Sequence, residues 1–190
     1  MLRENIAFWE EVGNLDAAGW SKVCMGTALG ELGEHELALA QVDDGISLLG
    51  KTHWKWGISV GQHYRGKIFH KMQDHAAALG CYLDSLEMRR ELGDKLGIAE
   101  TLEEMAYLGL DLESPNVAAR LFAQSESIRE SIKAPMPPCD SDRHQRCLAQ
   151  LKKELGADKF STVQTEGHAM TLEQAVEHAV TFASKYPDAD

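Results

Sequence analysis

Apolar and small residues recur along this chain in a fixed order, with a period of 40 residues. Cut at residues 15, 55 and 95, the sequence gives three blocks that align without a gap. Small residues stand at Gly26, Gly66 and Ala106, then Ala at Ala38, Ala78 and Ala118, then Gly45, Ser85 and Ser125. Large apolar residues stand at Val42, Tyr82 and Phe122, and again at Leu48, Met88 and Ile128. Leu32, Met72 and Leu112 close the first half of each block. An order of this kind predicts two amphipathic helices per block, with turns near Gly33-Glu34, Gln73-Asp74 and Ser114-Pro115. Pro115 suits a turn or the first helical position, where its missing N–H costs nothing. Small residues let paired helices approach closely, and the large residue fills the space beside them. One such hairpin cannot bury its apolar face alone, so neighbours must stack, and the expected fold is all-α, a right-handed superhelix (solenoid) of helical hairpins.

The two ends depart from the repeat. Residues 1–14 read as the second helix of an incomplete block, because Gly13-Asn14 stands two periods before Gly93-Asp94. Leu2, Ile6, Trp9 and Val12 would then lack their usual cover, so the expectation is either further repeats upstream or an oligomer face, with a homodimer through this helix. Blocks 1, 2 and 3 occupy 15–54, 55–94 and 95–134, and 135–190 reads as a C-terminal helical cap. In the cap, Ala134-Pro-Met-Pro-Pro138 breaks the helical pattern. Asp140 or Ser141 is expected to open a helix ending at Gly156, a glycine suited to left-handed termination. A short helix over 157–165 follows. Thr171-Leu-Glu-Gln174 is a capping box for a last helix, and Tyr186-Pro-Asp-Ala-Asp190 should fray.

Composition narrows the function. Nineteen basic and 30 acidic residues give a formal charge of −11, against the basic footprint that nucleic-acid binding needs. No apolar run approaches the roughly 20 residues that cross a bilayer, and Met1–Glu10 lacks the apolar core of a secretory signal. Cys24, Cys81, Cys139 and Cys147 form no C-x-x-C pair and read as free thiols, which predicts a cytoplasmic protein.

The small–large order resembles the tetratricopeptide repeat, in Gly26/Ala38/Val42/Gly45, Gly66/Ala78/Tyr82/Ser85 and Ala106/Ala118/Phe122/Ser125. The period is 40 rather than the family's 34, and Lys22 and Leu29 replace its Trp and Tyr in the first block. A second resemblance rests on Ser85–Asp94 with Gly97-Ile-Ala99, on Ala118–Phe122 with Glu126 and the proline break, and on Leu155-Gly156, Phe160, Glu166-Gly167 and Met170–Ala175. Together these are similar to the C-terminal helical region of bacterial LuxR/MalT-like ATPase regulators. No G-x-x-x-x-G-K-[ST] loop is present. The resemblance therefore implies a sensing or protein-interaction role in a transcriptional or signalling regulator, without ATPase or DNA-binding activity.

Candidate chemistry is sparse. His63 and His70 share a helix face, but no carboxylate completes a metal set, and no metal or cofactor is expected. His144 and Cys147 are three apart, with nothing in the sequence to orient them for nucleophilic catalysis. Asp43-Asp44 and Glu103-Glu104 are adjacent, so each pair points to two directions of its helix rather than one site. A binding surface is the better candidate. In arrays of the resembling kind the first helix of each block lines the concave face. Those positions here include Trp20, Thr27, His63, Lys67, His70, Lys71, Glu103 and Tyr107. The middle block is basic there, which predicts an acidic protein or peptide partner. Trp54 and Trp56 read as packing between blocks. The function expected is non-catalytic protein interaction or effector sensing, with a stand-alone homo-oligomeric scaffold as the alternative.

Overall fold

The structure, a computed structural model, describes residues 2–186, with side chains from residue 4 onward. Among them are ten α-helices and no strand. The chain divides into two compact units, Met1–Leu92 and Gly93–Pro187. The first holds α1 (Leu2–Val12), α2 (Leu15–Glu31), α3 (His35–Thr52), α4 (Lys55–Lys71) and α5 (His75–Leu92). The second holds α6 (Lys95–Asp111), α7 (Pro115–Ile132), α8 (Pro138–Leu155), α9 (Ala157–His168) and α10 (Leu172–Ala183).

The helices keep the 40-residue register. α2, α4 and α6 each have 17 residues, and α3, α5 and α7 each have 18. A residue with positive φ punctuates the chain every 20 positions, at Gly13, Gly33, His53, Gln73, Gly93, Glu113 and Lys133. At six of these the backbone closes a Schellman motif, for example Gln73 N–H to the His70 carbonyl and Asp74 N–H to the Phe69 carbonyl, both 3.0 Å. Except after Lys133, the next residue then starts the following helix. Asn14, Asp74 and Asp94 do this with a side-chain oxygen accepting from Ala17, Ala77 and Gly97 N–H at 3.0–3.1 Å.

Close approach explains the small positions. A Cβ on Gly26 would stand 2.5 Å from Val42 Cγ2 and 2.7 Å from the Ala38 carbonyl oxygen, and one on Gly66 would stand 2.6 Å from the Tyr82 ring. The large residue of the second helix therefore sits over the small residue of the first, and Ala38, Val42 and Ile68 form a buried cluster in the first unit. There each helix packs on the next, and α2 also touches α4.

In the second unit α7 is the hub: α6, α8, α9 and α10 all pack on it. α8 is capped by Pro137, three or four residues before the expected cap at Asp140 or Ser141, and begins at Pro138, since proline fits the first turn. Gly156 has φ 79° but ψ 155°, so it turns the chain straight into α9 instead of forming a left-handed cap. α9 runs three residues past its expected end, and the Thr171–Gln174 capping box is present with bonds of 2.9 and 3.3 Å. Of the segment expected to fray, Tyr186 is held instead, its ring 5.6 Å from Phe182 and its hydroxyl 3.3 Å from that of Ser114, and residues 187–190 lie outside the described residues.

Candidate functional site

The expected binding residues lie in both units and do not form one surface patch in either. In the first unit, Thr27, Lys67 and Lys71 line a shallow depression with Tyr64. Its basicity is largely spent: Lys71 Nζ pairs with Glu31 at 2.9 Å and donates to the Gly30 carbonyl at 3.2 Å. The Thr27 hydroxyl donates to the Val23 carbonyl. His63 and His70 are buried. His63 is held well below its ordinary pKa by burial and by the charges of Arg89 and Lys67. Trp20 stands elsewhere, in a three-ring cluster with Trp54 and Trp56 at centroid distances of 5.3–6.0 Å. These rings join α2 to the start of α4, as packing between blocks requires.

On α1, Ile6 is buried and Trp9 half-buried, while Phe8 and Val12 are exposed. The Leu2 side chain lies outside the described residues. Of the four apolar residues expected on the open face, α1 thus offers Val12 to solvent, together with Phe8, while Ile6 and Trp9 turn toward the body of the first unit.

In the second unit, Glu103 and Tyr107 belong to a buried polar assembly. Glu103 Oε1 and Oε2 accept from Arg129 Nε and Nη2 at 2.6 and 3.0 Å, and the Ser125 hydroxyl also donates to Glu103. Burial alone would lower the Arg129 pKa, but the Glu103 hydrogen bond and charge outweigh it and hold the guanidinium above its ordinary value. Tyr107 meets Phe122 edge to face at 5.0 Å, and Phe122 meets His144 at 4.8 Å. The Arg143 guanidinium covers the Tyr107 ring at 3.5 Å and reaches Glu104 at 3.6 Å. Burial, with Glu104 and Glu103 nearby, pushes the Tyr107 hydroxyl well above its ordinary pKa against the pull of Arg143. The neighbours Glu103 and Glu104 therefore serve different helices, as do Asp43, paired with Arg65, and Asp44, paired with Lys22.

The sequence carried an unread signal for this assembly. Val23, His63 and Glu103 occupy one repeat position, and Leu49, Arg89 and Arg129 another, and all six are buried. An apolar pair in the first block becomes His/Arg in the second and Glu/Arg in the third. Arginine at a leucine position of a core pattern signals a buried partner one helix away.

Beside this assembly the end of α7, the proline segment and the start of α8 enclose a cleft of about 460 Å³. Its wall includes His144, Arg129 and Glu126. His144 Nε2 lies 2.8 Å from Glu126 Oε1, and His168 Nε2 lies 3.6 Å from Glu126 Oε2. Cys147, three residues along α8, has its thiol pKa raised by burial, opposite to a reactive thiolate. Among the described residues no three His, Cys, Asp or Glu side chains are placed to hold a metal ion, and no helix is long and apolar enough to cross a membrane. No family model, curated protein or solved structure matches this chain.

Proposed function

We propose that this chain is a non-catalytic protein-interaction module. In this reading its hairpins form a tetratricopeptide-like, right-handed superhelix that α8–α10 close, in a cytoplasmic bacterial regulator of the LuxR/MalT-like kind. The supporting observation is the apolar surface left at the hairpin turns of the first unit. Leu32 is 77% exposed, Leu37 57% and Met72 40%. Leu37 and Met72 line a 260 Å³ depression together with Gly33, Glu34, His35 and Glu36. Large side chains grouped at one edge favour a partner that buries them. With the Lys71 charge already countered by Glu31, an apolar partner surface fits better than the acidic one expected from the sequence. A photo-crosslinking residue placed in turn at positions 32, 37 and 72 of the full chain tests this in cells. A discrete adduct that Met72→Asp abolishes from position 37 is expected, and no adduct from any position rejects the reading.

A homo-oligomeric scaffold is favoured by a different observation, the exposed Phe8 and Val12 of α1. Light scattering over a concentration series should show a dimer that Phe8→Ser with Val12→Ser dissociates. A monomer at every concentration sinks it.

A further inference from the structure

The apolar edge of the first unit is also charged. It is made where residues 31–37 meet residues 71–74. In these stretches Glu31, Glu34, Glu36 and Asp74 are exposed acids, and Lys71 is the one Lys or Arg. Three of these five charges have work within the fold. Lys71 Nζ pairs with Glu31 at 2.9 Å, and Asp74 accepts from the Ala77 N–H as a helix cap. Glu34 and Glu36 do not. Glu34 precedes α3 without a side-chain capping bond, and no cation pairs with either carboxylate among the described residues. The positive end of the α3 dipole, about half a charge, offsets only part of the two. Both acids line the 260 Å³ depression whose apolar side chains are Leu37 and Met72. Leu32, 77% exposed, follows α2 directly and precedes Gly33 of the same depression.

A partner that covers this edge must bury large apolar side chains and bring positive charge to Glu34 and Glu36. Resting on the partner reading of this edge, we infer that the partner presents a basic amphipathic helix, with an apolar residue for the depression and Lys or Arg one helical turn away. Residues three and four apart on a helix are neighbours, so one short segment supplies both groups. Charge complementarity of this kind selects the partner more than it tightens the complex. A second copy of the chain fits poorly. Its exposed apolar residues on α1, Phe8 and Val12, stand beside exposed Glu11, so acid would meet acid.

Fluorescence anisotropy with the full chain tests the charge of the partner. The probes are three labelled 14-residue amphipathic helices with identical leucine positions and with lysine, glutamine or glutamate on the other face. The lysine helix should bind about tenfold more tightly than the glutamine helix, and the glutamate helix more weakly still. Added salt should narrow these gaps. Glu34→Gln with Glu36→Gln should weaken the lysine helix about fivefold and leave the glutamine helix unchanged. Glu154→Gln with Asp158→Asn removes the same charge from exposed positions of the second unit and should leave the lysine helix unchanged. Leu37→Ser and Met72→Ser, at exposed positions, should weaken all three helices. Equal affinity for the three, still lowered by the serine variants, overturns the inference and leaves the partner reading standing. An equal loss in the second-unit variant also overturns it, because the lysine helix would then respond to the overall charge of −11 rather than to this edge. So does lysine-helix affinity that falls as the chain is concentrated, which would mean that a second copy covers the edge. Binding of none of the helices overturns it too, and the crosslinks at 32, 37 and 72 then judge the partner reading separately.

Discussion

Arg129 grips Glu103 through two parallel hydrogen bonds of 2.6 and 3.0 Å, with both side chains buried between α6 and α7. The fork geometry is the strongest arrangement open to a guanidinium and a carboxylate. Desolvation of the two charges nevertheless offsets most of their attraction, so the pair as a whole adds little to stability. Removing one partner is another matter, because the survivor stays buried and unpaired. Glu103→Ala should therefore destabilise the protein by about 3–5 kcal/mol. Glu103→Leu combined with Arg129→Met should cost far less than the sum of the single changes. Urea unfolding of the two singles and the double checks this. An additive double mutant would show that the two side chains do not act as a pair.

Two histidines with lowered pKa predict acid sensitivity. His178 is lowered to about 4 by burial, assisted by the charges of Arg120 and Lys185. In the unfolded chain it titrates near its ordinary value of 6.5. The unfolded state therefore takes up a proton between pH 6.5 and 4 that the folded state refuses, and stability falls as pH drops through that window. His63 acts in the same direction. Carboxylates also titrate below pH 5, so the measurement is a difference. The stability of His178→Gln relative to the parent should improve by on the order of 1–2 kcal/mol between pH 7 and pH 4.5, discounted for partial exposure. A constant difference across that range would refute the assignment.

Helical glycines should respond to alanine in opposite ways. At Gly26 a methyl group would strike the Ala38 carbonyl oxygen, a backbone atom that cannot move aside alone. Gly26→Ala should cost about 1–3 kcal/mol as overpacking. At Gly50 in α3 and Gly80 in α5 a methyl group meets nothing within 4 Å. There alanine should stabilise by about 0.5–1 kcal/mol, through helix propensity and a less disordered unfolded chain. Thermal denaturation of the three variants decides it.

The left-handed turns offer a complementary test. His53, Gln73 and Glu113 hold φ of 50–64°, where a Cβ is strained. Gln73→Gly and Glu113→Gly should each stabilise by about 0.5–1 kcal/mol, while Gly33→Ala should destabilise by about 1 kcal/mol. Chemical denaturation reads all three, and a destabilising Gln73→Gly would mean that its side chain, rather than the turn backbone, matters there.

These turns also show how much of the molecule was legible in the sequence. Gly13, Gly33 and Gly93 announce helix ends, and the 40-residue order of small and large residues places the ends at His53, Gln73, Glu113 and Lys133 where no glycine does. Pairing of small with large is local to one hairpin, so Gly26 with Val42 could be read from spacing alone. The polar assembly could not. Counting from Ala106 puts Glu103 on the first-helix face that was expected to meet a partner. What actually faces it, Arg129 of α7, follows from packing rather than periodicity. Tyr107 was assigned to the same surface, yet Phe122 and Arg143 cover it. Arg143 comes from α8, beyond the proline break, where the repeat no longer predicts position. The cleft between the end of α7 and the start of α8 is built on that same departure from the pattern.

Thiol labelling gives the last test, one that reads burial residue by residue. All four cysteines are free, with Cys139 exposed, Cys24 and Cys147 half-buried and Cys81 buried. Burial raises the Cys81 thiol to about 11, more than nearby Arg65 lowers it. Thiolate is the reacting species, so pKa and access act together. At pH 8 a disulfide reagent should modify Cys139 first and Cys24 and Cys147 more slowly, since burial raises both their pKa values. Cys81 should react only as fast as the first unit opens. Denaturant should bring all four to a common rate. Rapid labelling of Cys81 in the native protein, followed by mass spectrometry, would place that residue at a surface and overturn the packing of α5 on α4.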